Sequence, residues 1–129
     1  MTGEGESRRI RVMLVEDHPD FRRLMEGLLG GQADITVVAL AGSLAEARKH
    51  AAVVRFDVAV LDLSLPDGNG VDLIVDLRRE NPDVAVLILS ATLDPAGVDR
   101  ATEAGAAEIM DKLEPLDKIL DTVRHLGGV

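Results

Sequence analysis

The sequence contains no cysteine, tryptophan or tyrosine, and its two aromatic residues are Phe21 and Phe56. Without cysteine the chain can form neither a disulfide nor a zinc–thiolate site, which fits a reducing cytosol. With so few aromatic rings the core must be aliphatic, and an aromatic platform for stacking bases is excluded. No apolar run approaches the ~18 residues of a membrane span, and the polar start MTGEGESRR lacks a signal-peptide core.

Positive charge is also scarce, since 14 Lys and Arg residues stand against 23 Asp and Glu, for a formal net charge of −9. A field of that sign repels nucleic acid and anionic membranes. We therefore expect no direct nucleic-acid binding by this chain and no membrane association. The 129 residues suffice for one domain. Together these totals predict an acidic, cytoplasmic, single-domain protein.

Two hydrophobic periodicities alternate along the chain. Short apolar runs are typical of strands buried on both faces, and the segments that follow them have helical spacing. Strict alternation of this kind predicts an α/β domain with a parallel five-stranded sheet covered by helices on both faces. The predicted strands are 10–15, 35–41, 57–63, 84–90 and 107–111, and the predicted helices are 19–30, 43–53, 71–81, 95–105 and 115–126.

Local signals set the ends of several elements. Ser43 and Glu46 predict a capping box, in which each side chain accepts from the other's backbone N–H. Residues 67–70 (DGNG) predict a turn with positive φ angles. We predict a flexible tail over 1–8, one domain over 9–126, and a C-terminal tail or linker start over 127–129.

Polar residues stand where four of the five predicted strands end. The carboxyl ends of parallel strands meet at one edge of a sheet, where ligands bind in folds of this kind. Neighbouring carboxylates repel each other, and an all-oxygen donor set favours a hard cation such as Mg²⁺, with Mn²⁺ also acceptable. The residues at this edge are Glu16 and Asp17 after the first strand, Asp62 after the third, Ser90 at the end of the fourth and Lys112 after the fifth.

A carboxylate beside a metal ion, an ammonium and a hydroxyl is equipped to attack phosphorus. Asp17, Asp62 and a carbonyl of the following loop would hold the metal ion. Glu16 would hold a water molecule at the metal ion or influence the ion without being a direct ligand. Lys112 would neutralise charge on the transferring group, and Ser90 would donate a hydrogen bond to it. The small side chain of Ala91 leaves the approach open.

Four segments, in order along the chain, resemble the receiver domain of bacterial two-component response regulators. They are VMLVEDHPDFR, DVAVLDLSLPDGNGVDLI, VAVLILSA and EAGAAEIMDKLEP. The first two are most similar to receivers of regulators with a helix-turn-helix output. The resemblance covers nearly the whole chain. It implies a flavodoxin-like (βα)5 fold, doubly wound, with the strand order 2-1-3-4-5.

The resemblance also implies the function and the site. Asp62 would accept a phosphoryl group from a histidine kinase or a phosphotransfer protein. Glu16, Asp17 and the backbone carbonyl of Ser64 would organise Mg²⁺ with Asp62, and Ser90 and Lys112 would contact the phosphoryl group. The surface of the fourth helix, fifth strand and fifth helix would then change and control homodimerisation or partner binding. Such a domain is a phosphoacceptor with slow loss of phosphate, rather than a turnover enzyme.

The side chains around this site differ from those of many receivers. Ile109 stands where many carry an aromatic residue that switches rotamer, and Leu113 follows the lysine where many have proline. Ser64 and Thr92, two residues beyond Asp62 and Ser90, are expected to tune the lifetime of the phosphate. The kinase, the signal and the output are not encoded in any motif. The sequence is compatible with a stand-alone regulator and with one domain of a longer one.

Three other functions would place different requirements on the sequence. A phosphatase of the haloacid-dehalogenase type requires an acid two residues after the nucleophile, where this chain has Ser64. A flavin-binding protein of the flavodoxin type requires a hydroxyl-rich phosphate loop and aromatic residues, which the sequence lacks. A receiver-like interaction module that is never phosphorylated is compatible with the unusual fifth strand.

Overall fold

The computed structural model describes residues 9–128. The tail predicted over 1–8 and the terminal Val129 lie outside these residues, and the predicted domain limits stay a prediction. None of the helices formed by residues 9–128 is long and apolar enough to cross a membrane.

A parallel five-stranded sheet forms the centre of the domain, and all five predicted strands are present. The first two have the predicted bounds, the other three are shorter at one or both ends, and a small antiparallel hairpin follows the third. The strands of the sheet are β1 (Ile10–Val15), β2 (Ile35–Ala41), β3 (Val58–Leu61), β6 (Ala85–Ser90) and β7 (Glu108–Asp111), and the hairpin is β4 (Ser64–Leu65) with β5 (Gly68–Asn69). The order β2-β1-β3-β6-β7 is the predicted order 2-1-3-4-5, so the doubly wound flavodoxin-like fold is confirmed.

Five helices cover the sheet, and every predicted helix is present. They are α1 (Pro19–Gly30), α2 (Leu44–Val53), α3 (Gly70–Glu80), α4 (Pro95–Ala104) and α5 (Leu116–Leu126). The third begins one residue before the predicted start, because the side chain of Asn69 accepts a hydrogen bond from the N–H of Val71 at 2.7 Å.

The sheet divides the core into two layers. Alternate side chains of one strand point to opposite faces, so Val12 and Leu14 of β1 join one layer while Met13 and Val15 join the other. The first layer contains Met25 of α1 and Ile119 of α5. The second layer is filled by side chains of α2, α3 and α4, among them Leu44, Leu73 and Ala101. Burial on both faces explains why the central strands β1, β3 and β6 are almost continuously apolar.

The capping box at α2 forms only in part. The Oγ of Ser43 accepts the N–H of Glu46 at 3.1 Å, as predicted. The carboxylate of Glu46, however, accepts the N–H of Gly42 at 3.0 Å rather than that of Ser43. The reciprocal half of the predicted box is therefore wrong by one residue.

Candidate functional site

Backbone hydrogen bonds beyond the strand ends bring the polar residues together. The N–H of Asp62 donates to the carbonyl of Val15 at 3.1 Å, which places Asp62 beside the end of β1. The N–H of Lys112 donates to the carbonyl of Ser90, also at 3.1 Å. Because these pairs prolong the parallel ladders, the residues that follow β1, β3, β6 and β7 share one edge of the sheet.

The three predicted acids form a cluster at this edge. Glu16, Asp17 and Asp62 each offer a carboxylate oxygen, and these oxygens lie within 4.8 Å of one another. Glu16 is 2% exposed and Asp62 is 7% exposed, whereas Asp17 faces solvent. In the part of the chain that the structure describes, the buried polar side chains are Glu16, Asp62 and Ser90. Burying two carboxylates is unfavourable unless a cation compensates them.

Lys112 is the cation that contacts these acids directly. Its ammonium group lies 2.8 Å from Oε1 of Glu16 and 2.9 Å from Oδ2 of Asp62. Burial opposes the charged form of Lys112, but the hydrogen bonds to Glu16 and Asp62 outweigh it and raise the pKa of Lys112 above its usual value. The ammonium also lies 4.8 Å from the centroid of the Phe21 ring, a cation–π contact. Lys112 is therefore held charged between the two buried acids.

The remaining oxygens of the buried acids are held by backbone groups. Oδ1 of Asp62 accepts the N–H of Ser64 at 3.2 Å, and Oε2 of Glu16 accepts the N–H of His18 at 3.0 Å. Arg22 donates from Nη1 to the backbone carbonyl of Glu16 at 2.7 Å. The predictions from sequence did not include Phe21 or Arg22 at the site, although the helical spacing from Pro19 would have placed both near the end of β1.

The other predicted residues lie around this cluster. Ser90 is 1% exposed, and its Oγ accepts the N–H of Thr92 at 3.4 Å. Ala91 and Thr92 are exposed. Ile109 pairs with Ile88 in the sheet and packs half-buried against the layer formed by α2, α3 and α4. Ser90 and Ile109 thus belong to the same strand pair, β6 and β7.

The loop after Asp62 is built differently from the predicted turn. Of residues 67–70, only Gly68 has a positive φ, at +151°. Asp67 accepts hydrogen bonds from α2, and Asn69 caps α3. Gly70 is needed for close approach instead, because a Cβ there would lie 2.7 Å from the backbone oxygen of Asp62. The predicted turn is present, and among these four residues its positive φ falls on Gly68 alone.

Gly70→Ala tests this close approach. The added methyl group would meet the backbone of Asp62 and Leu63, which cannot rotate away. We expect a loss of about 1–3 kcal/mol in the free energy of unfolding. Gly27→Ala is the matched control, since a Cβ added at Gly27 would meet nothing within 4 Å and alanine favours the helix. Urea unfolding followed by circular dichroism measures both, and an unchanged Gly70→Ala variant would contradict the close packing.

The donor set fits a hard divalent cation. Three carboxylates face one ammonium, which leaves two negative charges uncompensated at the edge of the sheet. All the candidate ligands are oxygen atoms, and Asp17 is open to solvent, so waters could complete an octahedral shell. The residues present therefore fit Mg²⁺, and Mn²⁺ by the same chemistry.

Comparisons with known proteins agree with the fold and the cluster. A family model described as "Response regulator receiver domain" matches residues 12–124. The "DNA-binding transcriptional activator DevR/DosR" of Mycobacterium tuberculosis is 48% identical over 92% of this chain and 55% of its own length. The "Response regulator protein VraR" of Staphylococcus aureus is 31% identical over 89% and 55%. This chain thus spans about half the length of both relatives.

A solved structure gives the same result in three dimensions. The signal receiver domain of the putative response regulator NarL from Mycobacterium tuberculosis superposes with a TM-score of 0.88. It is 29% identical, and the match covers 94% of this chain and 98% of that one. The similarity therefore extends across almost the whole of both domains.

Proposed function

Because the chain belongs to the response regulator receiver domain family, we propose that it takes up one phosphoryl group on Asp62 in a reaction that requires Mg²⁺. The observation that carries this proposal is the buried carboxylate of Asp62, held 2.9 Å from the Lys112 ammonium and beside two further acids. Family membership argues against the phosphatase and flavin-binding alternatives. Receiver domains are in general not enzymes, and we propose at most slow self-catalysed dephosphorylation here.

In the proposed reaction a carboxylate oxygen of Asp62 forms a bond to phosphorus. The bond between phosphorus and the donor breaks, and its electron pair stays with the donor. The N–H of Ser64 already orients one oxygen of Asp62. Burial removes water from this carboxylate, so little solvent must be displaced before attack. The domain thus supplies an oriented nucleophile, while the donor supplies the energy-rich bond.

Lys112 and Ser90 would hold the transferred group. When the phosphoryl group is in place, the ammonium of Lys112 can donate to one of its oxygens while keeping its contact with Glu16. Ser90 would donate a hydrogen bond to another oxygen as its Oγ moves away from the N–H of Thr92. Because β6 pairs with β7, this movement of Ser90 would shift β7 and the side chain of Ile109. Ser64, Ala91 and Thr92, around the opening, would tune access of water.

Asp17, Asp62 and the backbone carbonyl of Ser64 would hold the metal ion, with Glu16 close by. Bound there, Mg²⁺ neutralises charge on the acids and on the transferring phosphoryl group. Asp17 is the exposed member and would take the ion from solvent. Glu16, fixed by Lys112 and the N–H of His18, would keep the edge negative and orient waters.

The partners follow from the family and the charge. We propose a sensor histidine kinase or a phosphotransfer protein as the donor, acting in the cytoplasm. The face formed by α4, β7 and α5 would be the output surface, through homodimerisation or partner binding. Transcription is the proposed output, through a DNA-binding segment outside this chain, because one relative is described as a DNA-binding transcriptional activator. The net charge of −9 argues against DNA contact by this chain itself.

A small-molecule phosphodonor tests the proposal without a kinase. We expect phosphoramidate with Mg²⁺ to add one phosphoryl group, and EDTA to abolish the adduct. Asp17→Asn removes a metal ligand from the solvent side, so it should lower the labelling rate at a given Mg²⁺ concentration by roughly 10–100-fold. Intact-mass spectrometry over time measures both effects. Absence of an adduct under every condition would identify a receiver-like interaction module instead.

A further inference from the structure

The loop that follows Asp62 is fastened to a neighbouring helix by one carboxylate. The two oxygens of Asp67 accept the first two N–H groups of α2, from Leu44 at 2.8 Å and from Ala45 at 3.0 Å. These hydrogen bonds lower the pKa of Asp67 below its usual value. A carboxylate at a helix N-terminus is further favoured by the helix dipole. Asp67 therefore joins two elements that are more than 20 residues apart in the chain.

The same loop touches α2 at a second point. A Cβ on Gly68 would lie 2.7 Å from Cδ1 of Leu44, so the loop backbone runs directly against that side chain. Leu65 and Leu44 are buried in the same layer of the core. The hairpin pairs Ser64 with Asn69, which places Asp67 at its tip. One end of the hairpin therefore rests on α2, and the other end carries Ser64.

The helix does not depend on Asp67 alone for its cap. Ser43 is the N-cap residue of α2 and takes the N–H of Glu46. Asp67 takes two different N–H groups from outside the helix. Two caps of different origin thus accept three of the four N–H groups that a helix start leaves free. Only the cap from Asp67 constrains the loop, because Ser43 belongs to the segment that leads into α2.

We propose that Asp67 is a positioning residue for metal binding, because it fastens the β4–β5 hairpin, which carries Ser64 and its backbone carbonyl. This inference rests on the proposed function, in which that carbonyl is a ligand. The N–H of Ser64 is already fixed by Asp62, and the N–H of Gly70 donates to the carbonyl of Leu63 at 2.8 Å. Asp67 supplies the remaining anchor at the tip of the hairpin.

Asp67→Asn is the direct test, because the amide keeps the size of the side chain but loses one acceptor and the charge. We expect its dissociation constant for Mg²⁺, measured by isothermal titration calorimetry on the whole chain, to rise by about 10-fold, the lower end of the range for residues that orient metal ligands. With phosphoramidate as donor, the labelling rate at saturating Mg²⁺ should return to within about twofold of wild type, since the nucleophile itself is unchanged.

Two matched variants separate positioning from other effects. Ser43→Ala removes the other cap of α2 and tests helix stability alone. Asp72→Asn removes one exposed charge from the first turn of α3 and tests the general field. Both should leave the Mg²⁺ affinity within about twofold of wild type, although Ser43→Ala should lower stability by about 1 kcal/mol.

The outcomes are distinct from those of the proposed function. If wild type binds Mg²⁺ and accepts phosphate but Asp67→Asn binds the ion equally well, the positioning role is wrong and the function stands. The role is also wrong if Ser43→Ala or Asp72→Asn weakens binding as much as Asp67→Asn does. If wild type binds no Mg²⁺ and takes no phosphoryl group, the proposed function fails and the positioning role fails with it.

Discussion

Asp62→Asn should abolish the phosphoryl adduct while leaving the domain folded. The amide has nearly the same shape as the carboxylate, but neither its nitrogen nor its oxygen is an effective nucleophile toward phosphorus at neutral pH. The variant also removes one of the three clustered negative charges, so Lys112 retains Glu16 as its partner. We therefore expect complete loss of labelling by phosphoramidate in intact-mass spectra, with a cooperative unfolding transition at least as stable as that of wild type.

The control for this variant is the same Asp-to-Asn substitution at an aspartate outside the acid cluster. Asp83→Asn alters an exposed residue just before β6, at the opposite end of the sheet. Its labelling rate and extent should match those of wild type. Retained labelling of Asp62→Asn, or equal loss in both variants, would mean that Asp62 is not the acceptor or that the chemistry is not confined to this edge.

Lys112→Met should destabilise the domain strongly in the absence of divalent ions. Methionine keeps the apolar stem of the side chain but removes the charge that lies between two buried carboxylates. Removing one member of a buried ion pair costs about 3–5 kcal/mol, because the remaining charge is left without a partner. Protonation of an acid would relieve part of that cost, so we expect about 3 kcal/mol at neutral pH by urea unfolding. Added Mg²⁺ should restore much of the loss.

The same variant should label slowly even when Mg²⁺ has restored its stability. Without the ammonium, one charge-neutralising donor to the phosphoryl oxygens is absent, and a rate loss of roughly 10²-fold is expected. Lys118→Met is the matched control, since Lys118 pairs with Glu114 on the surface. An exposed pair of this kind contributes about 0–1 kcal/mol. Equal behaviour of the two lysine variants would show that Lys112 does not hold the acids together.

Most of the fold could be read from the sequence, because buried parallel strands and amphipathic helices leave strong patterns. The alternation of strand and helix identified every main element and, with the family resemblance, the strand order. The hairpin after Asp62 was not predicted, since two-residue strands carry no periodicity. The third strand stops at Leu61 rather than residue 63, because the chain turns into that hairpin.

The candidate site could be predicted only as far as strand ends determine it. Glu16, Asp62 and Lys112 follow strands of one parallel sheet, so their proximity was expected and is observed. Contacts made by helix positions were not foreseen, as with the ring of Phe21 near Lys112. Asp67 accepts the backbone N–H groups of Leu44 and Ala45, which precede it by 23 and 22 positions in the sequence. Backbone donors leave no side-chain pattern in the sequence, so this link could not be predicted.

The most direct test of the central proposal is to locate the phosphoryl group on the wild-type chain. Borohydride reduces an acyl phosphate to the alcohol, so a phosphorylated aspartate becomes homoserine and can be assigned by peptide sequencing in a mass spectrometer. After treatment with phosphoramidate and Mg²⁺, we expect this conversion at Asp62 and at no other acid. Conversion at Asp17 or Glu16, a modification on His18, or an unmodified chain would contradict the assignment of Asp62 as the phosphoacceptor.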